Sequence, residues 1–213
     1  MFHSPNVFEI NRLIEFFRKR DAYHNHGMRK RAEISHKFAF AAIGKNHILS
    51  AMAPANPRVF STAQLANAHI LPLRALGKTL VTTNGCFDLL HAGHIRYLAE
   101  AATLGDLLVV GINSDASVKR LKGPARPLQN EYDRALIVAS LAMVDAVFIF
   151  GEEDPRAFLE ILRPDVHVKG GDYPNDIIEK PVVEKYGGRV RIVSLYKGFS
   201  TSSMVSKIRS AGG

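Results

Sequence analysis

Strand-length segments rich in apolar residues, "KTLVTTN" (78–84), "LLVVGIN" (107–113), "AVFIF" (146–150), "DVHVKG" (165–170) and "VRIVSL" (190–195), constrain this chain most. In all but 165–170, apolar residues stand side by side rather than simply alternating with polar ones. That is the pattern of a strand buried on both faces. Between them lie helical segments. Ile95, Leu98, Ala99 and Ala102 mark one face of a helix that Gly105 ends, and "EYDRALIVASLAMV" (131–144) is helical. "DPRAFLEIL" (154–162) opens with an Asp–Pro pair suited to a helix start, and "STSSMVSKIRS" (200–210) closes the chain as a helix. This alternation predicts an α/β fold, a parallel sheet with helices on both faces.

The regular pattern begins only after residue 77. Ahead of it, "SAMAPANPRVFST" (50–62) carries two prolines among small residues and reads as a linker. The expected organisation is an N-terminal extension with linker over 1–57 and one domain over 58–213. Charge separates the two parts. Residues 1–51 hold nine Lys/Arg against four Asp/Glu, and the remainder holds nineteen against sixteen. The extension also carries two weak amphipathic stretches, Val7, Ile10, Ile14 and Phe17, then Ala32 to Ile43. These are candidates for packing on the domain or across a homodimer interface. A basic tail is one route to nucleic-acid binding, and a solvated leader is the plainer reading; nucleic acid is not expected as a partner. No apolar run approaches the ~20 residues of a membrane span, and the N-terminus lacks a signal-peptide layout. The single cysteine, Cys86, excludes an intramolecular disulfide framework and fits a reducing compartment. The expected location is the cytoplasm.

The chemistry concentrates in "TNGCFDLLHAGH" (83–94), at the end of the first of these strands. In a parallel sheet, ligands sit beyond the carboxyl ends of the strands. A helix starting near Gly93 directs free N–H groups and a positive dipole end to the same place, which suits phosphate. His91 and His94 can donate hydrogen bonds to phosphate oxygens without the fixed charge of lysine. No G-x-x-x-x-G-K-[ST] loop occurs, and no cysteine or acidic residue completes a zinc set around the histidines. No metal ligands are assigned.

Embedded as N-G-x-F-D-x-x-H-x-G-H directly after a strand, this segment resembles the HxGH signature of cytidylyltransferase-like nucleotidyltransferases. "GDLLVVGINSD" (105–115), "VKRLKGPARPL" (118–128), "DRALIVASLAMVDAVFIF" (133–150), "LRPDVHVKGGDY" (162–173) and "GFSTSSM" (198–204) follow in order. The series, over roughly residues 58–210, resembles the bacterial heptose-1-phosphate adenylyltransferases, either as stand-alone enzymes or as the transferase half of a bifunctional kinase–transferase. The resemblance implies a Rossmann-like fold of the HxGH nucleotidyltransferase type. It also implies transfer of AMP from ATP, with Mg²⁺, to heptose 1-phosphate. The products are ADP-heptose for the lipopolysaccharide core and pyrophosphate.

It further implies roles for individual residues. His91, His94 and Lys169 are the catalytic candidates. Asn84, Gly85, Cys86, Phe87, Gly93, His94, Asn113, Asp115, Ser200, Thr201 and Ser202 are candidates for nucleotide binding. Asp88, Lys119, Arg126 and Asp172 are candidates for the sugar phosphate, with Arg120 and Lys122 in the same basic segment. Arg134 is a salt-bridge candidate. "LYKGFSTS" has Leu195 where glycerol-phosphate cytidylyltransferases carry an arginine, which with "VKGGDY" favours the heptose branch. A sugar kinase domain of ~300 residues does not fit in this chain, so a separate kinase and phosphatase are expected upstream. Glycerol-3-phosphate cytidylyltransferase or another HxGH enzyme, a nucleic-acid binder using the extension, and a binding module with a decayed site remain the alternatives.

Overall fold

A computed structural model describes residues 56–171, 177–194 and 200–211. The strands are β1 Val59–Phe60, β2 Leu80–Gly85, β3 Leu107–Asn113, β4 Ala146–Phe150, β5 Val166–Gly170 and β6 Arg189–Val193. The helices are α1 Ala63–Arg74, α2 Ala92–Ala102, α3 Asp115–Lys122, α4 Glu131–Ala139, α5 Arg156–Leu162, α6 Lys180–Lys185 and α7 Thr201–Ala211. The strands form one sheet in the order β1-β4-β3-β2-β5-β6, and every neighbouring pair is parallel. The chain steps outward from β2 through β3 to β4, then crosses back to place β5 on the other side of β2. That reversal opens a crevice at the carboxyl ends of β2 and β5, the place where α/β sheets bind ligands.

The continuous apolar runs behave as their pattern demands. All seven residues of β3 are buried, and β2 is buried through its first four. The edge strand β6 instead exposes Arg189, Arg191 and Ile192. On one face Phe158 of α5 meets Phe148 and Phe150 edge-on, with centroids 5.0 Å away in each case. Gly111 makes room for them, because a Cβ there would lie 2.9 Å from the Phe148 ring.

Several expectations change. The segment 50–62 is not linker throughout. Val59 and Phe60 pair with β4, and Thr62 caps α1 by accepting from Leu65 N. α1 escaped notice because its buried side is mostly small, Ala63 and Ala66 with Ile70, and because Pro72 lies in its last turn. The helix expected over 131–144 ends at Ala139. Beyond it the chain must turn into β4, where Asp145 N donates to Leu108 O and Asp145 Oδ2 accepts from Leu108 N. The buried face of α2 is Tyr97, Leu98, Ala101 and Ala102, rotated from the expected Ile95 and Ala99. The extension, residues 1–51, lies outside the described residues, as do the two amphipathic stretches in it. No helix among the described residues is long and apolar enough to cross a membrane.

Candidate active site

The turn after β2 is built by its own side chains. His91 is the N-cap of α2, and its Nδ1 accepts from His94 N at 3.4 Å. His94 returns the bond, its Nδ1 accepting from His91 N at 3.4 Å. This is a capping box made of two imidazoles. Their rings stack with centroids 3.8 Å apart and planes 14° from parallel. A neutral imidazole that accepts at Nδ1 carries its proton on Nε2. The reciprocal caps therefore fix the tautomer of both rings as Nε2–H donors.

Burial, and then the neighbouring His91, push the His94 imidazole down to about 4. Burial lowers that of His91 as well. Near pH 7 the turn thus presents two uncharged donors at a helix start. Phe87 and Leu89 hold positive φ, 47° and 53°, a conformation that bulky residues adopt only when their surroundings impose it. The Phe87 ring lies against His94, centroids 5.3 Å apart. Gly85 gives it space, since a Cβ there would stand 3.0 Å from the ring.

The turn forms one wall of a cavity of about 650 Å³ at the carboxyl ends of β2 and β5. The cavity gathers Asn84, Gly85, Cys86, Phe87, Asp88, His91, Gly93, His94, Asn113, Arg126, Lys169, Ser200, Thr201 and Ser202. These candidates come from five separate stretches of the sequence. α7 is tied in at its first turn: Ser200 Oγ accepts from Ser203 N, and Thr201 Oγ1 donates to Asp88 O at 2.7 Å. Cys86 lies near Asn113, 3.9 Å from Sγ to Oδ1, and burial raises its thiol pKa. It is therefore no nucleophile at neutral pH.

Acidic and basic side chains here come in pairs. The Asp88 side chain is 1% exposed. It accepts from Arg126 Nε at 2.7 Å and from Leu128 N and Gln129 N. Both of its oxygens are committed, so Asp88 fixes the 126–129 segment and holds the Arg126 guanidinium at the cavity. Lys169 is bonded to Glu179, whose side chain is 1% exposed. Arg134, with no exposed surface, donates to the carbonyls of Cys86, Asn113 and Gln129 and to Asp115 Oδ1. It stitches the ends of β2 and β3 to α4.

Other candidates are placed elsewhere. Asp115 is engaged by Arg134 and donates its N–H to Glu131, and it does not line the cavity. Lys119 is an exposed residue of α3 away from the cavity, while Arg120 reaches Gly151 O and Lys122 does line the cavity. Asp172 lies outside the described residues. Tyr97, Leu121, Gly170 and Glu179 were not singled out. Tyr97 carried a signal, since it follows His91 and His94 at spacing three, on one helix face; its hydroxyl donates to Val168 O at 2.9 Å. Nothing local marks Glu179.

Residues 82–210 match the cytidylyltransferase-like family. The chain belongs to that family. Among cytidylyltransferase-like proteins it is 49% identical over 179 residues to the bifunctional protein HldE of Geotalea uraniireducens, covering 81% of this chain and 36% of that one. It is 54% identical over 136 residues to HldE of Syntrophotalea carbinolica, covering 63% of this chain and 28% of that one. The chain thus spans about a third of these relatives' length. A solved lipopolysaccharide core biosynthesis protein from Thermoplasma volcanium is 35% identical, with a TM-score of 0.48, and covers 58% of this chain and 100% of that chain.

Proposed function

We propose that this domain transfers AMP from ATP to D-glycero-β-D-manno-heptose 1-phosphate, releasing pyrophosphate and ADP-heptose for the lipopolysaccharide core. The observation that carries the reading is the self-capped His91–His94 pair, two uncharged N–H donors at a helix start in a cavity that Lys122, Arg126 and Lys169 also line. The similarity to HldE proteins and the heptose-type "VKGGDY" direct the choice of acceptor.

An oxygen of the heptose phosphate attacks the α-phosphorus of ATP. The bond from that phosphorus to the β-bridging oxygen breaks, and pyrophosphate leaves with the electron pair. The attacking phosphate is already an anion at neutral pH, so no base is needed. What the protein must do is hold two repelling anions in line and neutralise charge as it shifts toward the leaving group. His91 and His94 donate from Nε2 without needing a counter-ion, and Lys122, Arg126 and Lys169 supply further donors at the same cavity.

Among the described residues no cluster of three His, Cys, Asp or Glu side chains is placed to hold a metal ion. Asp88 and Glu179 are committed to cations. Magnesium, in this reading, would arrive with the nucleotide and would supply neutralisation of its phosphate charge. Heptose 1-phosphate would come from a separate kinase and phosphatase in the cytoplasm, and the enzyme would work as a homodimer.

The test is pyrophosphate release by the purified chain from ATP, GTP and CTP against both anomers of heptose 1-phosphate and against glycerol 3-phosphate. Turnover is expected with ATP and the β-anomer. Turnover confined to CTP with glycerol 3-phosphate would move the enzyme to the glycerol branch. Phosphorylation of free heptose or its 7-phosphate would overturn the separate kinase.

A further inference from the structure

We infer that Glu179 is a positioning residue for this reaction, acting through Lys169; the inference rests on the reading of Lys169 given above. The backbone at Lys169 is fixed by the sheet. It is in register with Ile192, Gly170 follows opposite Val193, and Gly171 N donates to Val193 O. A four-carbon stem with a rotatable ammonium is not fixed by its backbone. The Lys169 side chain lines the cavity and is 18% exposed, with its Nζ on Glu179 Oε1.

Glu179 precedes α6 but makes no side-chain cap to it. Its side chain is 1% exposed, and a buried carboxylate is costly unless paired. Nothing in the helix uses this carboxylate, while the ammonium it binds stands at the cavity wall. The arrangement holds a flexible cation in place before any phosphate arrives. When the triphosphate binds, the ammonium lies between a fixed carboxylate and the phosphate oxygens. Because the pair is close to neutral, it adds orientation rather than raw attraction for an anion. Loss of Glu179 therefore falls on kcat more than on KM.

The experiment measures kcat and KM for ATP by pyrophosphate release in E179A, E179Q, K169A and K169A/E179A, with circular dichroism confirming folding. E179A is expected to lower kcat roughly 10- to 100-fold, the scale of an ångström misplacement, with KM for ATP changed less than about threefold. E179Q regains part of the loss, since its amide oxygen still accepts from the ammonium. On the K169A background, E179A changes kcat by less than about twofold, because a residue acting through another is non-additive with it. Wild-type kcat in folded E179A, or the same factor lost on both backgrounds, overturns the inference. If E179A does not fold, E179Q and K169A/E179Q make the same comparison. Wild-type kcat in K169A overturns the assignment of Lys169 itself, and that outcome is read from the single variant alone.

Discussion

The two ends of the sheet use the same side-chain chemistry for opposite purposes. At the amino end, Asp106, Asp145 and Asp165 each stand just ahead of a strand. Each accepts from a backbone N–H beside it: Thr79 N at 2.9 Å, Leu108 N at 2.7 Å and Leu80 N at 2.7 Å. The amide of each aspartate returns the bond, to Thr79 O, Leu108 O and Leu80 O. These carboxylates finish the ladder. At the carboxyl end, Asp88 and Glu179 each hold one side of a cation whose body lines the cavity. The first arrangement closes a structure. The second aims donors at a space that the protein does not fill. The contrast predicts that damage at one end costs stability and damage at the other costs turnover.

The largest effect is expected at the histidines. Removing one well-placed donor lowers kcat by about 10²–10³, or roughly 3–4 kcal/mol of barrier, so His91→Ala and His94→Ala are expected to fold and lose most turnover. His91 is also a helix cap, and loss of a cap costs about 1 kcal/mol of stability. His91→Asn separates the two roles, because its amide oxygen can cap α2 but it has no ring Nε2–H. It should be as slow as His91→Ala while melting closer to wild type. Near-normal kcat in His91→Asn would reduce the first histidine to a cap.

Asp145→Ala tests the other end. It leaves the N–H of Leu108, a residue 1% exposed, without its acceptor, at a cost of about 1–3 kcal/mol. Urea unfolding should show that loss, and kcat for the folded variant should stay within about twofold of wild type. A hundredfold loss of kcat with unchanged stability would erase the distinction between the ends.

The same contrast explains what the sequence disclosed. The buried strands and the histidine turn are local. Continuous apolar runs specify strands buried on both faces, and His91 and His94 bond each other three residues apart. The partners of the cations are not local. Asp88 meets Arg126 thirty-eight residues on, and Arg134 reaches carbonyls of Cys86 and Asn113. No spacing rule links such pairs, so neither the Asp88–Arg126 pair nor the Lys169–Glu179 pair is legible in the sequence. α1 was hidden for another reason: Ala63 and Ala66 bury a helix without a strong apolar stripe. The aspartate ahead of β3, β4 and β5 was a visible repeat whose meaning emerged only once neighbouring strands were paired.

Acid should reach both ends, through histidine. His167 is fully buried on β5, its Nδ1 2.9 Å from Thr82 Oγ1, and burial pushes its imidazole down to about 3. His94 is held at about 4, chiefly by burial. The unfolded chain protonates histidine near its ordinary 6.5, while the folded chain does not until far lower. Between those values the unfolded state binds more protons, so stability is full above about pH 6.5 and falls as the pH drops toward 4. His167 alone gives a slope of up to about 1.4 kcal/mol per pH unit. Urea midpoints from pH 7 to pH 5 should fall accordingly. A phosphate ligand should lessen the loss from His94, since an anion favours its protonated form. Ligand binding should leave the His167 share untouched. A midpoint independent of pH over this range would contradict the burial of both rings.

The smallest effect is expected from shortening the chain, and its outcome depends on where the cut falls. Among the described residues, bonds into the fold are already made at Asn56, ahead of the boundary expected at 57–58. Asn56 Oδ1 accepts from Arg58 N, and Asn56 O accepts from Val59 N. Arg58 in turn reaches the amino end of β4. Its guanidinium donates to Val144 O at 2.7 Å, and its carbonyl accepts from Val147 N at 2.8 Å. A chain starting at Met52 keeps all of these bonds. Its kcat with ATP and heptose 1-phosphate should therefore lie within about threefold of the full chain, though its mass in solution tests whether the extension supports a dimer. A chain starting at Ser61 loses β1 and the Arg58 bonds, so it should unfold at lower urea while any folded fraction keeps its kcat. A folded Met52 chain slowed a hundredfold would place part of the extension in the working site. Equal stability of the two starts would mean that β1 and Arg58 contribute nothing to the closed end of the sheet.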